Sequence, residues 1–190
     1  MKRLVIAAVI AGLLVSCAGF PQPETDQESL IIGRLLLEFP DGFFDQAPRT
    51  IKHGVRVNIY NSTTKYSFSV NTNNGFYYFV TNGKDKYVLS SYEYATKTSS
   101  GTYTIHPKKI EKRLPTGEGK VIYLGDLIFR YAAPKLAKQY GGGSNRTFDY
   151  KILDKNSWDK NAVIEYLEKK QPRGKWLSYE FVENKSWMFN

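Results

Sequence analysis

The sequence predicts a mainly β fold: an antiparallel β-sandwich with one C-terminal α-helix, preceded by a signal peptide and a flexible tether. Three observations carry the prediction. Residues 54–61, 65–71, 76–80 and 87–94 are short runs of β-branched and aromatic residues, separated by turns rich in Asn, Gly, Ser and Thr. Tyr (14) and Phe (11) are abundant, and such rings suit the half-buried face of a sheet. Residues 158–170 are the clear instance of helical spacing, with Ala162, Val163, Tyr166 and Leu167 on one stripe.

Taken in order, Leu30–Phe39 (LIIGRLLLEF) is apolar nearly throughout and reads as a buried strand, ended by Pro40-Asp41-Gly42. Phe43 to Arg49 is a loop. Gly54–Asn61 alternates strictly, with Val55, Val57 and Ile59 facing one way. Lys65–Asn71 alternates with Tyr66, Phe68 and Val70 on one face. Asn73-Asn74-Gly75 is a hairpin signal, because Asn and Gly tolerate positive φ. Phe76–Val80 follows, then a second tight turn at Asn82-Gly83 and a strand at Tyr87–Tyr94. Thr102–Ile105 and Lys108–Ile110 are short strand candidates. Lys120–Tyr131 (KVIYLGDLIFRY) is a strand pair or one bent strand, with a bulge at Gly125. Ala132–Tyr140 is a loop or a helical turn, and Gly141-Gly142-Gly143-Ser144 is a flexible break. Thr147–Leu153 reads as a strand. The helix spans Trp158–Lys170, with Lys169 and Lys170 suited to its C-terminal dipole. Lys175–Val182 is the final strand.

The N-terminus carries a different signal. Lys2 and Arg3 precede an uncharged apolar run, residues 4–15. That run is shorter than the ~20 residues a membrane-crossing helix needs, and has the length of a signal-peptide core. Leu14-Val15-Ser16-Cys17 follows, and Cys17 is the chain's single cysteine. This stretch resembles the lipobox of bacterial lipoproteins. The resemblance implies cleavage after residue 16, a diacylglyceryl group on the Cys17 sulfur and an acyl chain on its amine. A thiolate is nucleophilic enough to take the first group, and several acyl chains together give stable anchoring. Ala18 at the second mature position, by the same resemblance, implies the outer membrane. Residues 17–29 are then a polar, lipidated tether, and residues 30–190 the folded domain. A lone cysteine leaves no intramolecular disulfide.

Gly54-Val55-Arg56-Val57, Asn73-Asn74-Gly75-Phe76-Tyr77-Tyr78-Phe79 and Tyr87-Val88-Leu89 together resemble the carboxypeptidase regulatory-like, or transthyretin-like, β-sandwich. The likeness covers about residues 30–95. It implies a scaffold or binding module and carries no catalytic residue over.

The formal charge is +9, and loss of Lys2 and Arg3 lowers it by two, to +7. A basic surface near a bilayer is drawn to anionic headgroups or acidic glycans, and otherwise is simply a solvated face. Nucleic acid is not expected as a partner of an exported chain.

Chemistry is sparsely signalled. His53 and His106 each sit beside a turn residue, without the spacing of a metal pair or the motif of a catalytic triad. Asp41 and Asp45 lack the further oxygen ligands that calcium needs. Glu93, Glu111, Glu165 and Glu180 are scattered, although a glycosidase pair is spatial rather than sequential. The expectation is therefore a non-enzyme with no metal and no cofactor beyond the lipid on Cys17. Tyr77, Phe79, Tyr92 and Tyr94 form the candidate binding face, if their register exposes them; otherwise they are core. The leading expectation is a membrane-anchored module for an envelope protein or glycan. The alternatives are a structural subunit of an envelope complex and a hydrolase of envelope or extracellular polymer.

Overall fold

The computed structural model describes residues 20–41, 48–98, 101–105, 110–132, 149–155 and 160–183. They form two sheets, face to face, with one helix packed outside the first, consistent with a mainly β sandwich. Among the described residues, no helix is long and apolar enough to cross a membrane.

The first sheet is built on β1 (Ser29–Phe39) and β9 (Lys120–Tyr131). These two long strands run parallel. One flank of β1 takes β5 (Phe76–Thr81) along its first half and β2 (Arg49–Ile51) along its second, both antiparallel. The free flank of β9 takes β11 (Glu180–Glu183) in parallel and β10 (Tyr150–Lys155) antiparallel. The second sheet has β3 (Arg56–Asn61) between β4 (Tyr66–Asn71) and β6 (Tyr87–Thr98). β7 (Gly101–Ile105) and β8 (Lys112–Arg113) both pair with β6.

The near-continuous apolar runs of β1 and β9 follow from this arrangement. Parallel central strands are covered on both faces, so alternation disappears from their sequences. Ile31, Leu35, Leu37, Leu127 and Phe129 face the second sheet, where Val57, Ile59 and Leu89 meet them. Leu30, Ile32, Phe76, Val121 and Tyr123 face outward, against Val163, Tyr166 and Leu167 of α1 (Lys160–Lys170) and against Trp176. Gly125 is the bulge expected in β9: its φ is +85°, and Leu124 and Gly125 together oppose Gly33. The extra residue keeps Leu127, Phe129 and Tyr131 pointing into the core where strict alternation would turn them out.

Several expectations are corrected. Asn73-Asn74-Gly75 is a tight turn with positive φ at Asn74 (+53°) and Gly75 (+86°), but not a hairpin. It carries the chain from β4 in the second sheet to β5 in the first, as Asn82-Gly83 carries it back to β6. Positive φ specifies the reversal; which strand pairs with which is a tertiary outcome. Lys175–Val182 is not one strand. Lys175–Ser178 forms a 3-10 turn, which swings Trp176 (2% exposed) into the helix-side core, and β11 begins only at Glu180. Ile110 lies outside any strand; the short strand is two residues on, at β8. β2 had no sequence signal.

The tether is also revised. Residues 20–28 are folded against the body, and β1 starts at Ser29. Phe20 is 9% exposed and packs 4.3 Å from the Tyr78 ring. The Trp176 indole N–H donates to the Pro21 carbonyl at 2.6 Å, the Lys175 amide to Gln22 Oε1 at 2.8 Å, and the Gln22 and Gln171 side chains hydrogen-bond. The Tyr179 hydroxyl donates to the Thr25 carbonyl at 3.2 Å. Burying one Phe contributes roughly 1.5–3 kcal/mol, enough to hold a short polar segment that has no periodicity of its own. Leu14, Val15, Ser16 and Cys17, the Gly141–Ser144 break, His106 and Asp45 lie outside the described residues.

Candidate functional site

The four aromatic residues singled out as a candidate face are core residues. Tyr77 (0% exposed), Phe79 (6%), Tyr92 (1%) and Tyr94 (9%) all point between the sheets. The reason is register. Phe76, Tyr78 and Val80 take the outer face of β5, so Tyr77 and Phe79 must take the inner one. Phe79 meets Phe68 and Tyr87 edge-on at 5.3 Å each, and Tyr92 lies 4.2 Å from Phe129. The Tyr92 and Tyr131 hydroxyls share a hydrogen bond of 2.5 Å. Burial pushes the Tyr131 hydroxyl up to about 12, against the opposing pull of that bond, and raises Tyr92 too. These hydroxyls stay neutral and act as core fasteners.

A second polar cluster is buried at the β1–β9 seam. Arg34 Nη1 lies 2.8 Å from Asp126 Oδ2, and the Tyr123 hydroxyl donates to Asp126 Oδ1 at 2.6 Å. The Asp126 side chain is 1% exposed. Tyr123 is raised chiefly by burial and next by this bond to Asp126. The cluster neutralises its own charge and does not face solvent, which fits a strand fastener better than a reaction centre.

A solvent-facing groove of about 550 Å³ on the outer face of the second sheet gathers polar side chains. Tyr60, Ser67, Val88, Ser90, Ser91, Glu111 and Arg113 line it. Its origin is a bulge in β6. Ser91 opposes Asn58 and Leu89 opposes Ile59, so Ser90 is the extra residue. Two consecutive serines therefore reach the same surface, which a regular strand forbids. The Ser90 hydroxyl donates to the Asn58 carbonyl at 2.9 Å, and the Ile110 amide donates to the Ser90 carbonyl at 2.8 Å. Beside the groove, Asn58 Nδ2 donates to Ser91 Oγ at 3.0 Å, and Ser69 Oγ donates to Asn58 Oδ1 at 2.7 Å. Tyr60 offers an amphipathic ring between Ser67 and Val88, its cross-strand neighbours. Glu111 and Arg113 bring one charge of each sign.

This groove was missed in the sequence, but it has a signal there. In YVLSSYEY the inward residues run Tyr87, Leu89, then Tyr92, Tyr94. The break in parity falls on Ser90-Ser91 and marks the bulge.

A second cleft, about 690 Å³, lies where β9 ends and β10 begins, lined by Arg130, Tyr131, Asp149, Tyr150 and Lys151 among others. The carboxylates weighed for hydrolysis do not converge. Glu93 pairs with Arg56 on the second sheet, Glu180 with Lys120 on the first; Glu165 is on α1 and Glu111 in the groove. His53 Nδ1 accepts the Asn74 amide at 3.3 Å and so helps hold the turn. Among the described residues, no three His, Cys, Asp or Glu side chains are grouped to hold a metal. Comparison with family models, with curated proteins and with solved structures gives no match.

Proposed function

We propose that this protein is a lipid-anchored envelope module that binds a protein or glycan partner through the β3–β6 groove, without catalysing a reaction. The observation that carries the binding reading is the Ser90 bulge, which turns an ordinary sheet face into a recess lined by three serine hydroxyls, a tyrosine and two opposite charges. Such a surface suits ligands rich in hydroxyl and amide groups, because each polar contact fixes orientation while the ring supplies apolar area. The anchoring reading is supported by the charged, apolar and Leu14-Val15-Ser16-Cys17 pattern.

Two measurements test the two halves. The mass of the N-terminal peptide from membranes, wild type beside Cys17→Ala, should show a peptide starting at Cys17 and heavy by two or three acyl chains. An unmodified peptide refutes anchoring. For binding, the full chain is titrated with soluble envelope glycan fragments and with an envelope protein extract. Tyr60→Ala and Arg113→Ala should each weaken whichever binding is found by about tenfold, the ~1–2 kcal/mol expected for a contact in the middle of an interface. Undiminished binding by both variants moves the site elsewhere.

A further inference from the structure

We infer that the turn between α1 and the 3-10 segment is a bilayer-contacting surface, with Lys169, Lys170, Arg173 and Lys175 facing anionic lipid headgroups. The inference rests on the proposed acylation of Cys17 and adds the orientation of the domain above the membrane.

The first part of the case is chain length. Phe20 is docked on the body, and it follows Cys17 by only three positions. Three extended residues reach at most about 11 Å. The headgroup layer of one leaflet is itself roughly 5–8 Å deep. An acylated Cys17 therefore holds the surface around Phe20 against the headgroups, with no room for a long stand-off.

The second part is what lies at that exit point. Gln22, two residues beyond Phe20, is bonded to the Gln171 side chain and to the Lys175 amide. The stretch Lys169-Lys170-Gln171-Pro172-Arg173-Gly174-Lys175 holds four cations and no anion. All four cationic residues are exposed. Arg173 has φ +68°, part of a tight reversal that presents the charges at one end of the helix. Glu168 precedes the stretch on the helix, and Asp26 and Glu28 lie toward Tyr179, with the Glu28 carboxylate turned back onto the Glu24 amide at 2.6 Å. Cations within a Debye length of an anionic surface, about 8 Å at physiological salt, are attracted to it.

The layer order then acquires a meaning. The helix and N-terminal segment cover one side of the first sheet, and the β3–β6 groove opens on the far side of the second. A helix layer turned toward the lipid leaves the groove turned away from it.

The test is lysine footprinting of the full-length acylated protein by acetic anhydride, read by mass spectrometry. It is run in vesicles of phosphatidylglycerol with phosphatidylcholine, in phosphatidylcholine alone, and in detergent. Lys169, Lys170 and Lys175 should be modified about fivefold more slowly on the anionic vesicles than in detergent, the factor expected for one cation held at a charged surface. Lys52 and Lys65 serve as internal references, and both are exposed. Vesicle-bound, acylated protein whose three lysines react as fast as Lys65 overturns the orientation and leaves the anchor standing. Equal protection on neutral vesicles overturns the assignment to anionic headgroups. A chain whose Cys17 carries no acyl mass overturns both readings together.

Discussion

Two ion pairs tie β1 to β9 in the same register, one buried and one exposed, and the protein thereby contains its own controlled comparison. Arg34 opposes Asp126, and four residues on Glu38 opposes Arg130. The first pair is 2.8 Å apart with side chains 14% and 1% exposed; the second is 2.6 Å apart at 28% for Glu38 and 56% for Arg130. Distance alone ranks the second pair as stronger. Burial reverses the order. Neutralising Asp126 leaves the Arg34 guanidinium in a low-dielectric seam with a charge partner removed, at a cost of roughly 3–5 kcal/mol. Neutralising Glu38 leaves an arginine that water can solvate, at roughly 0–1 kcal/mol. The variants are Asp126→Asn and Glu38→Gln, which keep volume; the amide oxygen introduced by the first can still accept the Tyr123 hydroxyl. Urea unfolding gives the stability change from the midpoint at constant slope. By melting temperature, at roughly 2–4 °C per kcal/mol for a domain of this size, Asp126→Asn should lose about 6–20 °C and Glu38→Gln at most about 4 °C. Adding Arg34→Met to Asp126→Asn should recover most of the loss, since the buried charge that Asp126 balanced goes with it. Equal losses from the two single variants would refute the reasoning, because burial would then not decide what a pair is worth.

Alkaline pH should destabilise the fold through its buried tyrosines. Tyr77, Tyr92, Tyr123, Tyr131 and Tyr166 are all raised by burial, so between pH ~10 and their native values the unfolded chain holds fewer protons and stability falls as pH rises. Their contribution is whole below about pH 9, falls by about 1.4 kcal/mol per pH unit per tyrosine above 10, and for Tyr131 runs out near about 12; tyrosinate absorbance should appear together with unfolding, and ionisation well before it contradicts the burial. Gly83→Ala should cost more than about 1 kcal/mol, since φ is +76° and a Cβ would lie 2.7–2.9 Å from Glu118 and the Gln27 carbonyl, whereas Gly54→Ala, at φ +71° with nothing within 4 Å, should cost less. Denaturant midpoints of the pair check this ordering. Trp176→Phe keeps a ring in the helix-side core but removes the bond to the Pro21 carbonyl, and should cost about 0.5–1.5 kcal/mol while speeding proteolysis around residues 20–25. An unchanged cleavage rate there would mean that the bond does not hold the segment.

Most strands were legible because their patterns are local. Val55, Val57 and Ile59 alternate, and they face the core. The bulge at Gly125 was readable too, since a glycine interrupts an apolar run where alternation would otherwise fail. Other features depended on parity rather than on residue type. The serines of the β6 bulge look like any polar pair until Leu89 and Tyr92 are both known to point inward. Tyr77 and Phe79 could not be assigned to a face by composition, because β5 is apolar on both sides, and Tyr92 and Tyr94 lie beyond the parity break that Ser90 makes in β6.

The sequence by itself determined the fold class, the turn positions and the helix, since alternation, positive-φ residues and a 3.6-residue stripe are properties of short segments. It also determined the N-terminal pattern ending at Cys17, on which the anchoring proposal stands. Tertiary structure decided the rest: the parallel seam of β1 and β9, the exchange of strands between sheets at both Asn-Gly turns, and the docking of Phe20 beside the basic turn. Each of these joins residues far apart in the chain. Their energy comes from surfaces that meet only after folding, and no local pattern records which surface a segment will meet.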